Sequence, residues 1–401
     1  SSVRRGAMAC YLPIDHGDIK EFLKIKQEGH PIQHLFTGVC VEDEWMQSMI
    51  DGDAEKREIW AAVLKSRSET GLPYIHFVGN ANNQAPQAYK DKGRRINASN
   101  LCNEIQLSSS PDESFVCCLA SMNLLNYDEW KDTDAVEVLC LFLDAVLEEF
   151  IQKAKGVKHL ERAVRFSENQ RAIGLGATGY HSLLQSKMIP FESLEAQMLN
   201  AEVFETIHKQ SLEASKRAAA EYGEPPLLKG YGERWVTRMA VAPNTSSAFI
   251  LGQVSQSIEP YKSNYYVKDL AKFKSTIKNP FLEKLLKEKG EDSEETWASI
   301  LRNNGSVQQL KCLSEEEKQV FRTFAEISQK EIVTQAAQRQ KYIDQGQSLN
   351  ITIPPETPAK EINKLLIYAW ESGIKGLYYQ HSTNAAQAFY RKLNDCKSCE
   401  G

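Results

Sequence analysis

The stretch Asn100-Leu101-Cys102-Asn103-Glu104 sets an amide, a thiol and a carboxylate at alternate positions. Alternate side chains of an extended segment point to the same side. The spacing therefore predicts Asn100, Cys102 and Glu104 lining one cavity, with Leu101 and Asn103 turned away. A redox-capable sulfur would stand between a hydrogen-bonding group and a general base. A neighbouring carboxylate discourages thiolate formation by like-charge repulsion. That weighs against a nucleophilic thiol and leaves one-electron chemistry, in which the thiol loses an electron and a proton to become a thiyl radical.

Outward from this motif, strand-sized apolar runs alternate with helical periodicities. The run 72–78 reads as a strand leading into the polar loop 80–99, at whose far end the motif lies. Further strands are predicted over 8–12, 34–40 and 114–123, and helices over 19–26, 43–49, 55–70, 134–155, 201–222 and 314–342. In the helix over 134–155, Val136, Leu139, Leu143, Val146 and Phe150 fall on or near one face. This alternation indicates an α/β architecture. No fixed-period repeat is present. The polar end from His381 reads as a mobile tail, 381–401, behind a catalytic body, 1–380.

The chain has 401 residues, 42% hydrophobic and 25% charged, with a formal net charge of −5. No basic block or stripe suggests a nucleic-acid partner. No apolar run approaches the ~18 residues of a membrane span. Nine cysteines, an odd number spread along the whole chain, do not form a secreted disulfide framework. A reducing cytoplasm fits, with any disulfide transient and functional.

Cys117-Cys118 lies in an apolar run; adjacent cysteines rarely bond to each other, and one of them can serve as half of a redox dithiol. Cys396 and Cys399 form a Cys-x-x-Cys pair. No second pair lies near it to complete a zinc site, so thiol–disulfide exchange is the better use. Gly174-Leu175-Gly176-Ala177-Thr178-Gly179 matches G-x-G-x-x-G, yet Ser167 to Arg171 before it is polar and no ribose-binding acid follows. A tight turn into a closely packed helix explains it better than a nicotinamide site. Thr245, Ser246 and Ser247 offer hydroxyls and backbone N–H groups for phosphate, or an ordinary helix cap. Tyr378-Tyr379 is either a packed aromatic pair or two phenols that relay an electron and a proton.

In this order and spacing, the motifs resemble the large subunit of class I ribonucleotide reductase through almost the whole chain. The resemblance implies the C-terminal part of a ten-stranded α/β barrel with a central finger loop, then a helical region and a flexible redox tail. It implies Cys102 as the thiyl radical, Glu104 as base toward the ribose 3′ hydroxyl, and Asn100 as a holder of the sugar hydroxyls. Cys117 would supply a reducing equivalent, and Tyr378 and Tyr379 the radical relay. Cys396 and Cys399 would re-reduce the active site. Arg4 would sit near the base, and Thr245, Ser246 and Ser247 at the phosphates of a ribonucleoside diphosphate. The chain itself would bind no metal. The metal or radical cofactor would belong to a small partner subunit, and the external reductant would be thioredoxin or glutaredoxin.

Family members begin further upstream, with an ATP-sensing helical domain and the partner redox cysteine on the first barrel strand. Cys118 stands too close to Cys117 to replace that partner, and Cys10 would be an unorthodox substitute. The expectation is a half-subunit that needs an N-terminal half in trans, from a split gene as in some phages and acting in the host cytoplasm. Cleavage or splicing ahead of Ser1 is the second choice. An adenosylcobalamin-dependent reductase is the alternative, against which the tyrosine pair argues, because such an enzyme needs no intersubunit relay. A nicotinamide-dependent oxidoreductase comes last.

Overall fold

The computed structural model describes residues 6–270, 273–354 and 356–382. Arg4, Cys396 and Cys399 lie outside the described residues. A first sheet has the order β1 (Met8–Pro13), β2 (Leu35–Val41), β3 (Tyr74–Phe77), then a late strand, Gly376–Leu377. The first three strands are parallel, in register Tyr11↔Gly38 and Val39↔Ile75. The late strand runs antiparallel to β3. β2 and β3 are buried almost throughout, as their near-continuous apolar sequences require of strands covered on both faces.

A second set begins with β4 (Leu119–Asn123) and β5 (Gly174–Thr178), parallel in register Ser121↔Gly176. It extends through parallel bridges Leu175↔Met239 and Val241↔Gln347. The hairpin β6 (Tyr265–Leu270) and β7 (Phe273–Lys278) stands apart from both. Next come β8 (Ile351–Ile353), β9 (the late strand Gly376–Leu377) and β10 (Gln380–Ser382), with β10 parallel to β8. The two sets meet at the finger loop: the Gly346 N–H donates to the Glu104 carbonyl (2.7 Å), and the Asn103 amide donates to the Ile75 carbonyl of β3 (3.2 Å).

Helices cover the outside. Ala54–Thr70 packs on β10 and on Ala359–Glu371, and Ala135–Ala154 packs on β4 and Leu194–Tyr222. Val136, Cys140, Leu143, Leu147 and Ile151 form the buried stripe of Ala135–Ala154. Val146 instead points outward, one position off the predicted face. The helix predicted over 314–342 is interrupted: Glu315–Val320 and Gln329–Gln340 are separate. Between them Phe321 is buried in one apolar cluster, while Phe324 and Ile327 are buried in another. The strand predicted over 114–123 starts only at Leu119. The body runs two residues further than predicted, because His381 and Ser382 pair with β8. Among the described residues, no helix is long and apolar enough to cross a membrane.

Candidate active site

Ile96, Ile105 and Leu107, all buried, moor the two limbs of the finger loop in one apolar cluster. Between them the chain turns. Asn103 has a left-handed backbone (φ 64°), tolerable for asparagine, and its N–H donates to the Asn100 carbonyl (3.2 Å). The tip is therefore a turn and not the extended segment that the alternate spacing implies. Leu101 and Cys102 pack side by side in one aromatic cluster. Asn100 and Glu104 still meet, because the turn folds the chain back. The Asn100 side-chain oxygen accepts from the Ile105 N–H (3.1 Å), and its amide bonds the Glu104 carboxylate.

Pins from several strands fix this turn. The Tyr11 hydroxyl of β1 donates to the Asn100 carbonyl (2.6 Å), with the Asn103 side-chain oxygen 3.1 Å away. The Ser348 hydroxyl donates to the Cys102 carbonyl (2.6 Å). Two glycines make room. A Cβ on Gly38 would lie 2.4 Å from the Tyr11 ring, and one on Gly376 would lie 2.5 Å from the Asn103 amide.

Glu104 is 1% exposed. Burial pushes its carboxyl up to about 7, against the opposing hydrogen bonds from Asn100 and Ser348. A carboxyl poised there can exchange a proton at neutral pH. Cys117 opens to solvent on one side, yet the protein around its sulfur, then Glu104, then Cys118 raise its thiol far above the ordinary range. It is thus a protonated thiol within electrostatic reach of Glu104. Cys118 points the other way, its thiol on the Leu143 carbonyl of the outer helix (3.5 Å). Cys10 lies on the face of β1 opposite Tyr11, away from the finger loop.

Tyr378 is 2% exposed, and its ring centroid is 4.4 Å from that of Tyr379. Tyr74 of β3 touches both, at 4.7 and 5.1 Å. Cys102 packs on the same cluster. The segment carrying the pair, between β9 and β10, is held from two sides. The buried Arg67 guanidinium donates to the Tyr378 carbonyl (3.1 Å), while the Tyr379 N–H donates to the Asn350 side chain (3.0 Å). The Asn350 amide in turn bonds the buried Glu259 carboxylate.

Thr245, Ser246 and Ser247 form the first turn of a short helix, Thr245–Ile250, with Asn244 at its cap in a left-handed conformation (φ 53°). The Asn244 amide ties the turn to Ser121 of β4 (2.8 Å) and to the Ala177 carbonyl of β5 (3.2 Å). The Asn244 side chain makes no cap hydrogen bond to the helix. Gly174 to Thr178 is the buried strand β5 itself. A Cβ on Gly176 would lie 2.4 Å from the Ala240 carbonyl, so its glycines serve strand packing and leave no space for a dinucleotide. The structure thus brings Asn100, Cys102, Glu104, Cys117 and the tyrosine pair around one finger loop. Sequence reasoning missed Tyr11, Ser348, Tyr74 and Asn350, single residues inside strands or strand-like segments that no spacing distinguishes from ordinary core.

The family profile described as "Ribonucleotide reductase, barrel domain" matches residues 1–55, 50–227 and 226–380. The chain belongs to the ribonucleotide reductase large-subunit family. It is 38% identical over its whole length to the protein assigned as ribonucleoside-diphosphate reductase large subunit in Frog virus 3 (isolate Goorha), of which it spans 75%. It is 38% identical to the large subunit of Invertebrate iridescent virus 3 over 86% of this chain and 56% of that one. Among solved structures, the Actinobacillus ureae class Id ribonucleotide reductase alpha subunit matches with a TM-score of 0.91 and 54% identity. That match covers 97% of this chain and 72% of the other. The barrel and its finger loop are therefore those of a ribonucleotide reductase large subunit. The strands described here form open sheets that account for part of that barrel.

Proposed function

We propose that this chain carries the catalytic chemistry of a ribonucleoside-diphosphate reductase, with Cys102 as the thiyl radical that activates the ribose. The observation that carries the reading is the packing of Cys102 against the aromatic cluster that contains Tyr378, with the buried Glu104 carboxyl two residues along the same loop. An oxidising equivalent entering at Tyr379 passes to Tyr378 and then takes the hydrogen atom from the Cys102 thiol. The resulting sulfur radical abstracts the 3′ hydrogen. Glu104 takes the 3′ hydroxyl proton, Asn100 orients the sugar, and the 2′ hydroxyl leaves as water with a proton from Cys117. Cys117 and a second thiol supply the two electrons and become a disulfide, the second thiol's hydrogen goes to carbon 2′, and Glu104 returns its proton to the 3′ oxygen. Cys102 returns the hydrogen to carbon 3′ and is again a radical.

The remaining roles follow from the same reading. Thr245, Ser246 and Ser247 hold the diphosphate, and Arg4 faces the base. Cys396 and Cys399 reduce the new disulfide and are themselves reduced by thioredoxin or glutaredoxin. A small subunit generates the radical. The second thiol is neither Cys118 nor Cys10, since both face away from the finger loop, and the N-terminal half is its proposed source. The test is deoxynucleotide formation by the chain assembled with an upstream segment, a small subunit, a ribonucleoside diphosphate and a dithiol. Cys102→Ser and Tyr378→Phe are expected to abolish product while the chain stays folded. Turnover by Tyr378→Phe at the wild-type rate would instead favour the cobalamin alternative.

A further inference from the structure

Ser348 is fully buried and occupies one corner of the site that the reaction above does not use. Its hydroxyl is 2.6 Å from the Cys102 carbonyl and 3.3 Å from the Glu104 carboxylate. Its backbone N–H is already committed to the Val241 carbonyl (2.9 Å), so the residue itself is fixed. A hydroxyl carries one hydrogen and two acceptor lone pairs. It cannot donate fully to both neighbours at once, so its hydrogen is shared between a backbone carbonyl and a carboxylate. The carboxylate changes from acceptor to donor on protonation.

We propose that Ser348 is a positioning residue that couples the proton on Glu104 to the backbone that carries the Cys102 sulfur. With Glu104 ionised, the carboxylate competes for the Ser348 hydrogen and the bond to the Cys102 carbonyl is weakened. Once Glu104 has taken a proton, its own O–H donates to the Ser348 oxygen, and the Ser348 hydrogen returns wholly to the Cys102 carbonyl. No bond to carbon or sulfur changes; one hydrogen reorients in response to one proton. Transfer of the substrate proton to Glu104 would thereby tighten the finger loop around Cys102 at the step where the sulfur must hold its hydrogen in place for return.

The surroundings suit such a link. The titratable groups close to this corner are Cys102 on the same loop, Tyr11 from β1, which lies within electrostatic reach of both Cys102 and Glu104, and Cys117 from the segment before β4. All three raise or leave unchanged the cost of a negative charge at Glu104. Among the described residues, the groups that favour its ionisation are hydrogen bonds from its own backbone, Asn100 and Ser348. With so few donors, loss of one is felt.

The inference rests on the reading of Glu104 as the base, and its test separates the two. Infrared titration of the folded chain, with the Glu104→Gln spectrum subtracted, reads the Glu104 carboxyl without turnover. Ser348→Ala is expected to move that titration up by about half to one pH unit, the size of one hydrogen bond to a charged group. The acid limb of kcat in the assembled reductase should move by the same amount, with KM for the nucleotide unchanged. Ser348→Thr keeps the hydroxyl and should restore both; the near-isosteric Ser348→Cys, a weak donor, should fall between and guards against misfolding of the alanine variant. A Glu104 titration unmoved in Ser348→Ala and Ser348→Cys, or a rate lowered equally at every pH, overturns the coupling and leaves the reductase reading standing. No deoxynucleotide from the assembled wild type, or product made by Cys102→Ser, overturns the proposed reaction and leaves the titration result untouched.

Discussion

Glu104 is the residue on which pH dependence turns. Its carboxyl sits near 7 because burial withholds water from the charged form. As a base it must be ionised, so kcat should fall about tenfold per pH unit below about 7 and level off above it. Glu104→Gln should lower kcat by about 10²–10⁴ with nucleotide binding retained, as measured by equilibrium binding beside turnover. The stability consequence has the opposite sense. A carboxyl raised in the fold contributes stability that is present below its unfolded value and lost as pH rises through the folded one. The wild type should therefore lose thermal stability between about pH 4.5 and 7 relative to Glu104→Gln, and the variant should melt higher at pH 8. Tyr11 marks the other pin. Tyr11→Phe removes the donor to the Asn100 carbonyl while keeping the ring, and should cost about 1 kcal/mol in denaturant unfolding.

At the level of elements, the finger loop keeps its shape because neighbouring strands leave space for its pins. Gly38→Ala puts a methyl group into the Tyr11 ring and should cost about 1–3 kcal/mol, read from thermal melts. Pairing it with Tyr11→Leu should recover part of that loss, a coupling that a double-mutant cycle measures. Asn350→Leu leaves the Tyr379 N–H and the buried Glu259 without their shared partner, and should cost about 1–3 kcal/mol. The elements themselves were largely legible: β2, β3 and the helices Ala54–Thr70 and Ala135–Ala154 follow from apolar runs and periodicity. Alternation predicted a shared face for Asn100, Cys102 and Glu104, whereas a turn with a left-handed Asn103 and a carbonyl at Asn100 that accepts two hydrogen bonds brings Asn100 to Glu104 and leaves Cys102 beside Leu101. Local spacing carries no signal for Tyr11, Ser348 or Asn350, whose partners stand 89, 244 and 91 residues away in the chain. The break in the predicted 314–342 helix is of the same kind, with Phe321 in one apolar cluster and Phe324 and Ile327 in another.

Across the whole molecule, the two strand sets meet at one loop, and each side brings a different part of the proposed reaction. The β1–β2–β3–β9 sheet carries Tyr11 and Tyr74 and leads directly into Tyr378, which cluster where the radical is proposed to enter. The β4–β5 set, continued through Val241 and Gln347, holds Cys117 beside its first strand and supports the hydroxyl-rich turn at 245–247. Asn350 and Glu259 bridge the tyrosine pair to the segment that follows that turn. In the proposed reaction the oxidising route would use the tyrosine cluster on which Cys102 packs, and the reducing route Cys117, beside a strand of the other set. The assembled enzyme, supplied with a ribonucleoside diphosphate deuterated at carbon 3′, tests that reaction most directly. Turnover slowed by the deuterium, with the label kept at carbon 3′ of the deoxynucleotide and both product and isotope effect absent in Cys102→Ser, is the predicted result. Product formed by Cys102→Ser, or label lost to solvent in every turnover, would contradict it.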